Sequence, residues 1–213
     1  MGVIKQGILG GFSGKVGTVV GSFWRGISYI RALAPNVANP RTAAQVNQRN
    51  KFAAVVAFLQ PIQTFINVGY KAFADGQSAM NAAMSYIVKN AMTGTAPNFT
   101  VDFANALVSR GKLTAIETAS AEELGGTLTV EWTSNAGEGN ALGTDKALVL
   151  IYNSTRNQAK VVLESGAVRA DGTLNVLLPS YPTGEVLQVY LSFQKEDNSI
   201  VSNSKFVDSI TLA

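Results

Sequence analysis

The sequence predicts an α+β protein in which an extended N-terminal arm and a helical hairpin precede an all-β, immunoglobulin-like (fibronectin-like) sandwich. Three observations predict this order. Eight glycines fall within the first 26 residues, apolar residues recur at helical spacing between 43 and 92, and short apolar strands separated by turn residues follow from Phe99 onward. We expect two domains, a docking domain over residues 1–97 and the sandwich over residues 98–213.

The arm, residues 1–35, is predicted to form one or two strands. Apolar residues alternate with glycine over much of it, and a hairpin turn is expected near Gly21–Ser22 or near Arg25–Gly26. Glycine inside a strand often marks a close backbone approach. Because a lone two-stranded hairpin is marginally stable in water, we expect the arm to pack against something else.

The segment 34–42 (APNVANPRT) ends the extended region and prepares a helix. Thr42 with Gln45 fits a capping box, and Asn39 before Pro40 is the competing cap. One helix is predicted from about residue 43 to about residue 68, with a kink or break at Pro61, which lacks a backbone donor. A second helix is predicted from about 77 to about 92, and residues 93–98 are predicted to be a linker.

The remainder of the chain has the pattern of an all-β domain. The turn residues that separate its strands, such as Gly125–Gly126, recur at short intervals, which favours a sandwich of about seven strands. Trp132 is expected to fill the core. The predicted strands are 99–103, 106–109, 112–118, 127–133, 146–153, 158–164, 172–178, 185–194 and 199–211.

Charge is divided unevenly along the chain. Residues 1–97 hold nine Lys and Arg residues and a single acid, Asp75, whereas residues 98–213 hold eight Lys and Arg residues and thirteen acids. This asymmetry indicates that the front half binds nucleic acid or an acidic protein surface. One such surface is the rear half of another copy, which would give a head-to-tail contact.

The composition argues against catalysis. The sequence has no cysteine and no histidine, which removes a thiol nucleophile, the commonest general base and the commonest metal ligand. The Gly14–Lys15 pair is followed by valine, where a phosphate-binding loop needs a hydroxyl residue. We therefore predict no enzyme, no cofactor, no metal and no small-molecule substrate. No apolar run is long enough to predict a membrane span, and we expect neither a signal peptide nor a membrane partner.

The candidate site is a surface for docking a partner. Its cations could pair with acids of a neighbouring chain, and its aromatic side chains could pack in an interface or stack on bases. Arg41 and Arg49 are eight residues apart, about two helical turns, so we expect them on one helix face. The predicted interaction residues are Lys15, Trp24, Arg25, Tyr29, Arg31, Arg41, Gln45 and Arg49.

A resemblance to a known family rests on two stretches, GGFSGKVGTVVGSFWRGISYIRALAP (10–35) and NPRTAAQVNQRNKF (39–52), and SNSKF (202–206) also fits that family. They resemble an uncharacterised domain family of Bacteroidota and of the phages that infect them, with a GxxGKVGxVVGxxWxGxxYIR arm, an NPRTxxQxxxR helix start and a C-terminal sandwich. The NPRTxxQ element is also similar to one in phage structural proteins. The family brings no catalytic residues. The resemblance implies a virion component, such as an auxiliary capsid, head-decoration, neck or tail protein.

We therefore expect a non-enzymatic structural protein of a phage virion, made in the host cytoplasm, that docks through its basic arm. Its expected partners are other virion proteins and copies of itself. Two alternatives remain open at this point. The basic front half could contact nucleic acid, or the chain could be a bacterial surface or adhesion module.

Overall fold

The structure is a computed structural model that describes residues 2–4, 7, 10–24, 26–34, 39 and 41–212. The fold is α+β with mostly β content, as predicted, and the described residues form three α-helices and thirteen strands in four antiparallel sheets. The chain divides into two compact units, Met1–Thr42 and Ala43–Ala213.

The first unit is a small antiparallel sheet with the strand order β1-β2-β3-β4. Trp24 and Ile27 face each other at the end of the β3–β4 hairpin, which confirms the turn predicted near Arg25–Gly26. Gly26 has a φ of +87°, a backbone conformation that glycine adopts without strain. The strands are β1 (Val3–Ile4), β2 (Phe12–Val16), β3 (Val19–Trp24) and β4 (Ile27–Ala32).

Three helices open the second unit: α1 (Ala43–Leu59), α2 (Gln63–Gly69) and α3 (Ala79–Asn90). Helix α1 begins directly after Thr42, so the position before the first helical residue belongs to Thr42 and not to Asn39. The break between α1 and α2 contains Pro61, and the two helices meet at 90°.

Nine strands follow the helices. Strands β5 (Met92–Thr95) and β6 (Asn98–Val101) form a hairpin where a linker was predicted. The central sheet has the order β10-β9-β12-β13 and the outer sheet the order β11-β8-β7. The central strands are β9 (Lys146–Asn153), β10 (Gln158–Val162), β12 (Val186–Gln194) and β13 (Lys205–Thr211), and the outer strands are β7 (Ala119–Leu124), β8 (Thr127–Trp132) and β11 (Thr173–Leu177).

The central and outer sheets pack face to face around a common core. Leu128 and Val130 of the outer sheet are buried in one cluster with Val149 and Val189 of the central sheet. Trp132 belongs to this cluster, as predicted, and its ring lies edge-on to Phe193 with centroids 5.6 Å apart. Its Nε1 donates a hydrogen bond of 2.9 Å to the carbonyl of Arg169, so the buried indole keeps a polar partner.

The helices pack on the opposite face of the central sheet. Phe58 of α1 and Ile87 of α3 share a second core with Leu150, Tyr152 and Tyr190 of that sheet. The rings of Phe58 and Tyr152 meet edge to face at 4.9 Å. The expected boundary between residues 97 and 98 is therefore displaced: the helices belong with the β-sheets, and the division falls between Thr42 and Ala43.

Two predicted strands, 106–109 and 112–118, are not strands in the structure. Side chains from the SNS stretch satisfy part of the backbone there instead. Ser204 Oγ accepts hydrogen bonds from the N–H groups of Val108 (2.9 Å) and Ser109 (3.3 Å). The stretch 202–204 thus has a structural role, because it fixes a segment almost a hundred residues away in sequence.

We predict that Phe58→Ala destabilises the whole second unit by about 3–5 kcal/mol, because it removes a ring from the core that joins the helices to the central sheet. The control is Phe52→Ala on the same helix, where the side chain is 41% exposed and the loss should stay below about 1 kcal/mol.

The measurement is urea unfolding followed by the fluorescence of Trp132, with Trp24→Phe in every chain. If the helices and the sheets unfold as one unit, the urea midpoint reported by Trp132 is lower in Phe58→Ala than in the parent chain. If the helices unfold separately and the Trp132 midpoint does not change, the predicted domain boundary between residues 97 and 98 is correct.

Candidate interaction surface on the N-terminal arm

Strand register places four of the predicted residues on one face of the arm. Residues directly opposite each other in an antiparallel ladder share a face, and alternate residues of a strand do so too. Val20 pairs with Lys15 on one side and with Arg31 on the other, Ser22 pairs with Tyr29, and Trp24 pairs with Ile27. We call this the basic–aromatic face: Lys15, Val20, Ser22, Trp24, Ile27, Tyr29 and Arg31.

The basic–aromatic face is open to solvent at its cations and at its large apolar residues. Trp24 and Ile27 are 60% and 62% exposed. Lys15 and Arg31 are exposed, and the side chain of neither forms a hydrogen bond or ion pair with any residue that the structure describes. The first 74 residues contain no acid. A carboxylate that neutralises these two cations must therefore come from outside the arm.

The opposite face of the arm explains part of its glycine content. Strand β2 passes closely over Gly21 of β3. A Cβ atom at Gly21 would lie 2.1 Å from the carbonyl oxygen of Phe12 and 2.6 Å from its ring. Only glycine allows the two strands to approach in this way, as the glycine pattern in the sequence indicates.

Exposed apolar residues are concentrated in the arm. Of the fourteen large hydrophobic side chains that are exposed among the described residues, nine belong to it. An apolar concentration of this kind is typical of an interaction site. The nine are Val3, Ile4, Val16, Phe23, Trp24, Ile27, Tyr29, Ile30 and Leu33.

Strand β4 also leaves one edge of the arm sheet unpaired within the described part of the chain. The N–H of Leu33 donates to the carbonyl of Thr18 at 2.7 Å, so by the alternation of an antiparallel ladder Ser28, Ile30 and Ala32 direct their backbone groups away from β3. This edge has no proline and only one charged residue. It is suited to pairing with a strand of another molecule.

The other predicted residues lie elsewhere. Arg41 is exposed and precedes α1, whereas Gln45 and Arg49 are exposed on α1 itself. The expectation that Arg41 and Arg49 share a helix face is wrong, because the helix begins only at Ala43. Arg25 lies outside the described residues.

The prediction missed Ile27 and Ile30 as surface residues of the site. The signal for them was in the sequence, since both lie next to the predicted Arg25–Gly26 turn. Once that turn is chosen, the pairing of β3 with β4 follows by counting residues away from it.

Among the described residues, the most deeply buried ion pair is Asp145 with Arg169, and its contacts indicate a structural role. Both side chains are fully buried, and Arg169 Nε donates to Asp145 Oδ2 at 3.1 Å. Arg169 also donates to the side-chain oxygen of Asn135 at 2.5 Å and to the carbonyl of Thr114 at 3.0 Å. Burial lowers the pKa of Arg169, while the Asp145 carboxylate opposes that shift. The pair therefore ties three loops together.

Among the residues that the structure describes, no three His, Cys, Asp or Glu side chains are grouped so that they could hold a metal ion. In the same part of the chain, no single helix is both long and apolar enough to cross a membrane. Helices α1 and α2 meet that criterion only when they are taken together across their 90° bend.

Comparison with known proteins identifies the family. A family model described as "Family of unknown function (DUF6266)" matches residues 11–208. The chain belongs to the DUF6266 family. The match starts in the arm and ends in β13, so both units are part of the stretch that defines a DUF6266 protein.

Other comparisons give little for this DUF6266 chain. No curated protein matches it. A solved structure that it resembles weakly is the pectate lyase Pel3 from Pectobacterium carotovorum, with 16% identity and a TM-score of 0.28. The matched region covers 46% of this chain and 27% of the lyase chain, and a similarity at this level carries no argument about fold or activity.

Proposed function

We propose that this DUF6266 protein is a non-enzymatic structural component of a phage virion that docks into the particle through its N-terminal arm. The observation that carries the proposal is the concentration of exposed apolar side chains on the arm. Exposed apolar area favours association by about 25 cal/mol for each Å² that is removed from water. The virion setting is supported by the resemblance of the arm and of the NPRT helix start to proteins of phages. The resemblance fits an auxiliary capsid, a head-decoration, a neck or a tail protein equally well.

The arm offers two complementary ways to bind. Its basic–aromatic face can lie against an acidic surface, and the free edge of β4 can extend a partner's sheet. Both need a partner with a defined surface, and other virion proteins and copies of this chain meet that need. Because the arm contains no acid, its partner must supply the opposite charge.

Residues 98–213 form, in this proposal, an immunoglobulin-like sandwich of the fibronectin kind that spaces or decorates the particle. The strand order supports this. Counted from β7, the first, second and fifth strands (β7, β8 and β11) form one sheet, and the third, fourth, sixth and seventh form the other. Two antiparallel sheets with such crossed connections are typical of these sandwiches. The helices on the central sheet are an addition to that plan.

We predict that deletion of residues 1–35 abolishes incorporation into particles and leaves the second unit folded, because both cores of that unit lie within residues 43–213. The double variant Trp24→Ser/Ile27→Ser should lower the copy number in the same direction. The control is Leu142→Ser, an exposed apolar residue of the second unit. Quantitative mass spectrometry of purified particles gives the copy number, and thermal melting checks the fold. Normal incorporation of the deletion variant refutes the proposal.

Nucleic-acid binding is a second candidate because two cations and two aromatic rings share the basic–aromatic face. Cations beside stacking rings are typical of surfaces that bind single strands. This alternative predicts that the protein binds single-stranded DNA with a steep salt dependence. Lys15→Gln/Arg31→Gln should reduce the slope of log K against log salt by about 1.4, since two phosphate contacts are lost. Lys205→Gln is the control, and no binding at low salt excludes the alternative.

A further inference from the structure

The outer sheet has one face in the core and one face in solvent. Leu128, Val130 and Trp132 of β8 point into the core, so the alternate residues of the three strands point outward. Leu124 and Leu177 flank Thr127 in one row of this face. We call the whole surface the outer face: Ser120, Glu122, Leu124, Thr127, Thr129, Glu131, Thr173, Asn175 and Leu177.

The outer face is acidic and carries two strongly exposed leucines. Leu124 and Leu177 are 80% and 70% exposed. The face contains two carboxylates, Glu122 and Glu131, and no cation. Neither carboxylate forms a hydrogen bond or ion pair with a residue in the described part of the chain. The ammonium group of Lys160, at the β11 edge, donates a hydrogen bond to the carbonyl of Leu177 and is therefore already paired.

A shallow depression of about 520 Å³ lies on this face. It is lined by Ser120, Ala121, Glu122, Leu124, Thr129 and Glu131. The two carboxylates therefore border one space that is wide enough for the end of a lysine or arginine side chain. An arginine or lysine that enters it would meet two unpaired acids beside an apolar wall.

The spacing of the outer face matches that of the basic–aromatic face. On the outer face the leucine row lies four residues along β8 from the row of Glu131, a distance of about 13 Å. On the arm, the Trp24–Ile27 row lies four residues along β3 from the row of Lys15 and Arg31, again about 13 Å. Trp24 and Ile27 can thus cover the leucines while the cations meet the carboxylates.

A competing receptor surface is the apolar depression between α1 and α3. It is lined by Gln48, Phe52, Asn81, Met84, Ser85, Val88 and Lys89. This lining has a lysine and no acid. The arm is also cationic and has no acid, so like charges disfavour binding of the arm to that groove. We therefore take the outer face as the surface that receives the arm.

We propose that the arm of one copy docks through its basic–aromatic face on the outer face of a second copy. The contact uses different surfaces on the two chains, so it is head-to-tail and can continue from copy to copy. The inference rests on the proposed function in one respect, because it names the partner of the same docking arm.

The test is charge reversal in the full chain, with sedimentation velocity over a wide range of concentration. The wild-type chain is expected to associate as its concentration rises. Lys15→Glu/Arg31→Glu and Glu122→Lys/Glu131→Lys should each weaken association by more than about tenfold, because each places like charges in the contact. An equimolar mixture of the two variants should associate again, and so should the chain that carries all four reversals. Lys205→Glu, on β13 of the central sheet, is the matched control and should not change association.

Two results overturn the inference: a wild-type chain that stays monomeric at every concentration, or a mixture that fails to recover although both variants melt like the wild type. These outcomes are separate from a failure of the proposed function. If Glu122→Lys/Glu131→Lys incorporates into particles normally and the arm deletion does not, the arm docks on a different virion protein. If the arm deletion also incorporates normally, the proposed function itself is refuted.

Discussion

Burial of the central sheet on both faces is the constraint on which the rest of the fold depends. Strands β9 and β12 are buried along almost their entire length. One face is covered by the outer sheet and the other by the three helices. The apolar faces of the helices are therefore used inside the second unit. Within the described residues of the second unit, no further layer covers the solvent face of the outer sheet, and its two leucines and two carboxylates are exposed there.

The arm differs from the second unit in how its residues are used. It is a small sheet whose two faces both carry exposed apolar side chains, and its cations have no acid within the arm. A sheet of this kind gains free energy when another surface covers it. The arm and the outer face also differ in sign of charge, so the contact that we propose between copies has a preferred direction. These features link the uneven charge of the sequence to the role in assembly that we propose.

Much of the second unit could be predicted from local sequence. The predicted strand 146–153 coincides with β9, and the predicted strand 185–194 differs from β12 by one residue. The packing of the helices on the central sheet could not be predicted from the helix sequences themselves. The evidence for that packing lay in the strands. KALVLIYN and VLQVYLSFQ are apolar without alternation, which is typical of strands that are buried on both faces.

The remaining errors have physical causes. Segment 106–118 is held by side chains distant in sequence, which no local pattern reveals. For the arm, residue types predicted the chemistry of Lys15, Trp24, Tyr29 and Arg31, but their common face required the strand register. The expectation that Arg41 shares a helix face with Arg49 failed because Arg41 precedes the first helical residue, Ala43.

The central claim, that the arm is sheltered only by another molecule, is tested most directly by hydrogen–deuterium exchange of the peptide covering residues 26–34. The account predicts rapid exchange at Ser28, Ile30 and Ala32 in the isolated monomer and strong protection in the assembled state. Strong protection of the same amides in a dilute, monomeric chain would contradict it.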